Sequence, residues 1–118
     1  MNHIIITGNL GRDPEMKYTP DGTAVTKFSV ASNRKWKDAS GEQQERTTWF
    51  NVECWAGLAE TTNQYLRSGS KVLVEGRMEC DTYEKDGTTV YYWKLKANSV
   101  EFLDRKEQTE NAGRNVPF

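Results

Sequence analysis

The chain has 118 residues, 28% of them charged, and a formal net charge of −1. That length predicts one domain around a single core. The balanced charge excludes a protein held to nucleic acid or membrane by bulk positive charge, so any binding cations must be clustered locally. No run of about 18 apolar residues occurs, so the sequence offers no membrane-spanning helix.

The opening, "MNHIIITGNLG", lacks the basic end and long apolar stretch of a signal peptide, which makes the cytoplasm the expected location. Residues 2–10 form a β-rich run ending among Gly8 and Gly11. "PDG" at 20–22 signals a turn. Along 23–32 the chain alternates, with Ala24, Phe28 and Val30 on one side. The polar stretch 37–45, "KDASGEQQE", is expected to be a long exposed loop. In the strand that follows, 46–55, Phe50, Val52 and Cys54 share the core side, whereas Trp49, Asn51, Glu53 and Trp55 share the other. Residues 58–69 predict a short helix, with Ala59, Thr62 and Leu66 at i, i+3 and i+7 and Gly69 as the left-handed residue after it.

A strand at 70–83 carries Val72, Val74, Met78 and Cys80 on one parity. "KDGT" at 85–88 then joins it as a hairpin to 89–103. After Leu103 the apolar pattern stops, and 104–118 is expected to be a short disordered tail. About five strands, with one short helix between the third and fourth, is the element order of an OB-fold. The expectation is therefore an all-β Greek-key barrel over residues 1–103. Cys54 and Cys80 fall on apolar parities and predict reduced, buried thiols. With His3 the single histidine, neither a metal site nor a cofactor is expected.

Two tryptophans on the solvated side of a strand require a reason. The fourth strand repeats the pattern: Arg77, Glu79, Asp81 and Tyr83 alternate on its polar side. Trp36 is flanked by Arg34, Lys35 and Lys37. Exposed aromatics beside cations suit single-stranded nucleic acid, because every base has a π-face and the cations follow the phosphates. Any one of these aromatics could equally pack against a loop or a subunit; three or four together favour binding. Trp93 shares its parity with Tyr91, Leu95 and Ala97, so core or subunit interface is expected there, with Lys94 and Lys96 on a solvated side.

"IIITGNLGRDPEMKYTPDGTAVTKFSVAS" and "TTWFNVECWAGLAETTNQYLRSGSKVLVEGRM" resemble bacterial-type single-stranded DNA-binding proteins, with their GNLG-x-DPE and W-x-x-V-x-x-(aromatic)-G-x-x-A-E patterns. The resemblance runs over residues 1–103. It implies an OB-fold homotetramer that wraps single-stranded DNA without sequence preference in replication, recombination and repair, and is nucleoid-associated. By position, it implies stacking by Trp36, Trp49, Trp55 and Tyr83, and phosphate contacts from Lys17, Arg34, Lys35, Lys37 and Arg77. The terminal Pro117 and Phe118 look like the family's partner-binding tip, here without its acidic cluster, which implies weak recruitment of replication and repair proteins. Departures include Glu79 and Asp81 in place of basic residues, Asn51 for Arg, Gly57 for Lys, and Trp93-Lys94 for a Thr-Glu pair. They would suit a mobile-element or phage-encoded member. No catalytic constellation occurs, so an enzyme is not expected. The rival reading is an OB-fold interaction module of a replication-restart complex, using the same face for a protein partner.

Overall fold

The computed structural model describes residues 1–103. The elements run β1 (Ile4–Leu10), β2 (Glu15–Tyr18), β3 (Ala24–Lys37), β4 (Gln43–Trp55), α1 (Ala56–Tyr65), β5 (Lys71–Lys85) and β6 (Thr88–Phe102). The sheet order is β1-β5-β6-β4-β3-β2, and β1 also pairs with β3 through Asn9↔Ala31 and Leu10↔Val30. Five strands thus close into a ring, with the helix between the third and fourth of them, as the OB-fold expectation required. The four-residue β2 is an addition that sequence reading missed. Among the described residues it pairs with β3 alone, and its alternation, Met16 and Tyr18 against Glu15 and Lys17, is four residues long with no β-branched side chain to announce a strand.

The core is the inner parity of the strands: Ile6, Leu10, Phe28, Val30, Val52, Cys54, Val72, Val74 and Leu95. Fully burying one such side chain contributes about 1.5–3 kcal/mol. Burial also pushes the Cys54 thiol up to about 12, so it stays protonated. Cys80 is only partly buried, against expectation; both cysteines are free. The helix plugs the barrel with Ala59 and Thr62, and Leu66 follows just past its end. Thr26 donates its hydroxyl to the Ala59 carbonyl at 2.7 Å, tying β3 to the plug. No side-chain cap or first-turn acid supports α1, so packing rather than propensity holds it.

Two turns behave as their residues dictate. Asp86 and Gly87 both have positive φ, the pair of left-handed residues that a two-residue hairpin needs. Gly69 is left-handed too, but it lies in a turn closed by Ser70 N–H donating to the Arg67 carbonyl at 2.9 Å, several residues beyond the helix. The expected loop at 37–45 shrinks to residues 38–42. β3 runs on to Lys37 and β4 starts at Gln43, leaving a tight bend in which Asp38 accepts from the Ser40 and Glu42 amides at 3.0 Å each. Polar residues on both faces of a projecting hairpin look like loop in sequence because neither face meets the core.

The β5–β6 hairpin projects likewise. Parity placed Trp93 and Tyr91 on the face of Leu95, and Leu95 is indeed buried, but the barrel ends there. Trp93 is 58% exposed and Tyr91 66%. The core expectation for Trp93 is therefore overturned.

Candidate nucleic-acid interface

The outer face of β4 carries the two tryptophans. Trp49 is 59% exposed and faces Ala31 across the β3–β4 pair, too small a neighbour to cover an indole. Gly11 lies against its ring: a β-carbon there would come within 2.8 Å of the indole. The second glycine of "GNLG" therefore leaves room for Trp49. Trp55 is half-buried at the end of β4, in the N-cap position of α1. Its Nε1–H donates to Glu53 Oε1 at 2.8 Å, and the Lys96 ammonium lies 5.0 Å over its ring. Chain direction changes at Ala56, whose φ is +58°. A β-carbon disfavours that conformation, and position 56 is where the family pattern has Gly.

Beneath Trp55 the structure corrects two expectations. Glu53, placed by parity on the solvated side, is 4% exposed, and Lys94, expected to be solvated, is 8% exposed. They pair at 3.0 Å, and Lys94 also donates to Asp81 at 2.8 Å. The reason is the crossing of β4 and β6, whose parallel register sets Glu53 beside Lys96 and closes the outer face over these side chains. Burial alone would pull the Lys94 ammonium down; hydrogen bonds to Asp81 and Glu53, with their charges, outweigh it and hold the group above its ordinary value.

The expected cluster around Trp36 divides. The β3–β4 register is unbroken from Val25↔Trp55 to Lys37↔Gln43, so alternation puts Arg34 with Trp36 on one face and Lys35 and Lys37 with Trp49 on the other. The Arg34 guanidinium sits 4.8 Å over the Trp36 ring. Tyr83 is exposed near the tip of the β5–β6 hairpin. Arg77 is engaged by Glu79 at 2.8 Å and Asp81 by Lys94, so Glu79 and Asp81 are each matched by a cation of the same chain.

Two of the grooves on the outer face gather lysines. One, of about 390 Å³, brings Lys17 and Tyr18 of β2 together with Val25, Lys27, Glu53 and Trp55. The other, of about 400 Å³, lies between Asn9, Ala31, Asn33, Lys35 and Lys71, on the Trp49 side of β3. Lys27, Lys71 and Lys96 are thus site candidates that sequence reasoning passed over. All lie on strand positions facing away from the core, which is the signal that could have found them. Flat apolar rings among cations can stack planar bases and neutralise phosphates. Pro117 and Phe118 lie outside the described residues.

A model of the single-strand binding protein family matches residues 1–103. The chain is 41% identical over 114 residues to the single-stranded DNA-binding protein of Neisseria meningitidis, covering 96% of this chain and 64% of that one. With the single-stranded DNA-binding protein of Xanthomonas campestris the identity is 42% over 104 residues, covering 87% and 60%. The chain therefore spans under two thirds of the length of these relatives. Among solved structures it resembles the Plasmodium falciparum SSB in complex with ssDNA (TM-score 0.81, 26% identity, 88% of this chain and 96% of that one). It also resembles a deletion mutant of the Thermus aquaticus single-stranded DNA-binding protein (TM-score 0.79, 30% identity, 88% and 51%). Fold, motifs and these matches agree: the chain belongs to the single-strand binding protein family.

Proposed function

We propose that this protein binds single-stranded DNA without an enzymatic step, by stacking bases on Trp49 and Trp55 while Lys17, Lys27, Lys35 and Lys71 meet the phosphates. The observation that carries this reading is the pair of indoles on the outer face of β4, one 59% exposed and one bordering a groove with two lysines. Duplex DNA hides its base faces, so this arrangement selects unpaired strands. Trp36 with Arg34, and Tyr83 on its hairpin, extend the path beyond the barrel, and Lys37 follows it along the β3–β4 arm. Arg77 joins only if Glu79 releases it.

Tyr91 and Trp93 support a second role on a different surface. Their exposed face on the β5–β6 hairpin is suited to burial between copies of the chain, in the homotetramer that the family resemblance implies. The wider assignments follow from the same resemblance: action on cytoplasmic, nucleoid-associated DNA in replication, recombination and repair, a polar tail over 104–118, and weak partner binding through Pro117 and Phe118. Titration with oligo-dT, followed by intrinsic tryptophan fluorescence, tests the central claim. Saturable quenching is expected. A protein-interaction module would give no saturable change.

A further inference from the structure

The Glu53 carboxylate is an unusual wall for a groove that stacks bases. Its Oε1 accepts from Trp55 Nε1 at 2.8 Å and from Lys94 Nζ at 3.0 Å. Its Oε2 has no hydrogen-bond donor among the described residues; Lys27 Nζ stops 4.0 Å away, on a side chain that is largely exposed. So a side chain more than nine-tenths buried, one of its oxygens without a donor among the described residues, lines a groove of about 390 Å³ that is also bordered by an indole and by the apolar Val25. Lys96, which covers one face of the Trp55 ring, is not among the walls of this groove. The volume falls in the range that holds a small planar ligand.

A buried acceptor left unfilled is costly, and a ligand that supplies the missing donor gains accordingly. Among the bases, an exocyclic amine is a donor that a carboxylate reads, as in pairing of Glu or Asp with the N4 amine of cytosine. Uracil and thymine have a carbonyl oxygen at that position, which would meet the carboxylate lone pair to lone pair. We propose that the groove between β2 and the end of β4 is a base-reading subsite: Trp55 stacks one base and Glu53 Oε2 accepts its exocyclic amine, favouring cytosine or adenine over thymine. This deepens the single-strand binding reading and rests on it. Elsewhere on the path stacking stays tolerant of sequence; at this one position the protein discriminates. Lys94 is a positioning residue here. By occupying Oε1 together with the indole N–H, it fixes which oxygen remains open.

The test compares oligodeoxycytidylate with oligodeoxyuridylate of one length, pyrimidines of like shape that differ in the amine, by fluorescence quenching at fixed salt. Wild type is expected to bind the cytidylate strand about tenfold more tightly, the scale of one hydrogen bond to a charged group. Glu53→Gln, checked for its fold by circular dichroism, should bring the ratio to one or below. Trp49→Ala should weaken binding to both strands and keep the ratio. A wild-type ratio near one, or a preference unchanged by Glu53→Gln, overturns the subsite while leaving the proposed function intact. Absence of binding to either strand overturns both.

Discussion

Lys94→Met removes the ammonium at the centre of the buried network and keeps most of the aliphatic stem. Glu53 then retains only the Trp55 N–H, with Lys27 at 4.0 Å. Breaking a fully buried ion pair from one side costs about 3–5 kcal/mol, because the remaining charge is stranded. Here the side chains of Glu53 and Lys94 are 6% and 10% exposed, and Lys27 can swing in, so we expect a loss of about 2–3 kcal/mol at neutral pH. For a domain of this size that lowers the melting temperature by about 10–20 °C. The assay is a far-ultraviolet circular-dichroism melt at matched protein concentration. A second variant separates charge from packing: Glu53→Leu added to Lys94→Met removes both charges and should melt above the single variant. The pH dependence has a fixed sign. The folded value of Lys94 lies above its ordinary 10.5, so its contribution is complete below 10.5 and disappears as pH rises through the folded value; there wild type and Lys94→Met should converge. A Lys94→Met melt within about 3 °C of wild type at pH 7 would refute the buried-pair reasoning, on the scaling between stability and melting temperature used above.

Ala56→Gly should stabilise the domain by about 1 kcal/mol, since it removes a β-carbon from a left-handed residue; a lower midpoint in urea would show that the turn is not strained. Trp49→Ala should weaken binding to oligo-dT by about 1–3 kcal/mol with little change in melting temperature, because its indole is a platform and not core. Glu79→Gln frees Arg77 and should steepen the plot of log affinity against log salt by about 0.7, the value for one more phosphate neutralised on a single strand; an unchanged slope would place this part of β5 away from the DNA. Hydrogen bonds from Ser40, then from the Glu42 amide, hold the Asp38 carboxyl below its ordinary 3.8. The β3–β4 bend should therefore be intact above 3.8 and loosen as pH falls through the folded value, seen as faster amide exchange at Ser40 and Glu42.

Period-two alternation made the barrel legible. Phe28, Val30, Val52, Val72, Val74 and Leu95 are core, as parity required. Alternation fails where a strand outruns the barrel, since a side chain can point to the inner face with nothing opposite; that is the fate of Tyr91 and Trp93, and it also made the β3–β4 arm look like a loop. For the proposed site, Trp49 and Trp55 stood out in the sequence because they are large apolar rings on a polar parity. Glu53 and Lys94 were missed because their burial depends on β4 crossing β6, a pairing between segments some forty residues apart that no local pattern encodes. Arg34, Lys35 and Lys37 were read as one cluster because sequence adjacency hides the alternation that splits them between faces.

The network also changes how the charge balance bears on binding. Sixteen basic residues against seventeen acidic ones suggest a poor ligand for a polyanion, and Glu79 and Asp81 beside Tyr83 sharpen that impression. In the folded chain these acids do not stand as free negative charge: Glu79 holds Arg77, and Asp81 shares Lys94 with Glu53. Meanwhile Lys17, Lys35, Lys37, Lys71 and Lys96 make no salt bridge among the described residues, and all lie on or beside the outer face. A cation already paired within the protein releases few counterions when a phosphate approaches, so only the free set contributes to salt dependence. The paired set does something else. By fixing Glu53 it fixes the edge of Trp55, and an indole already held in one orientation loses less side-chain freedom when a base stacks on it. The paired acids thereby stiffen the platform, and in the proposed complex they favour stacking over phosphate contacts.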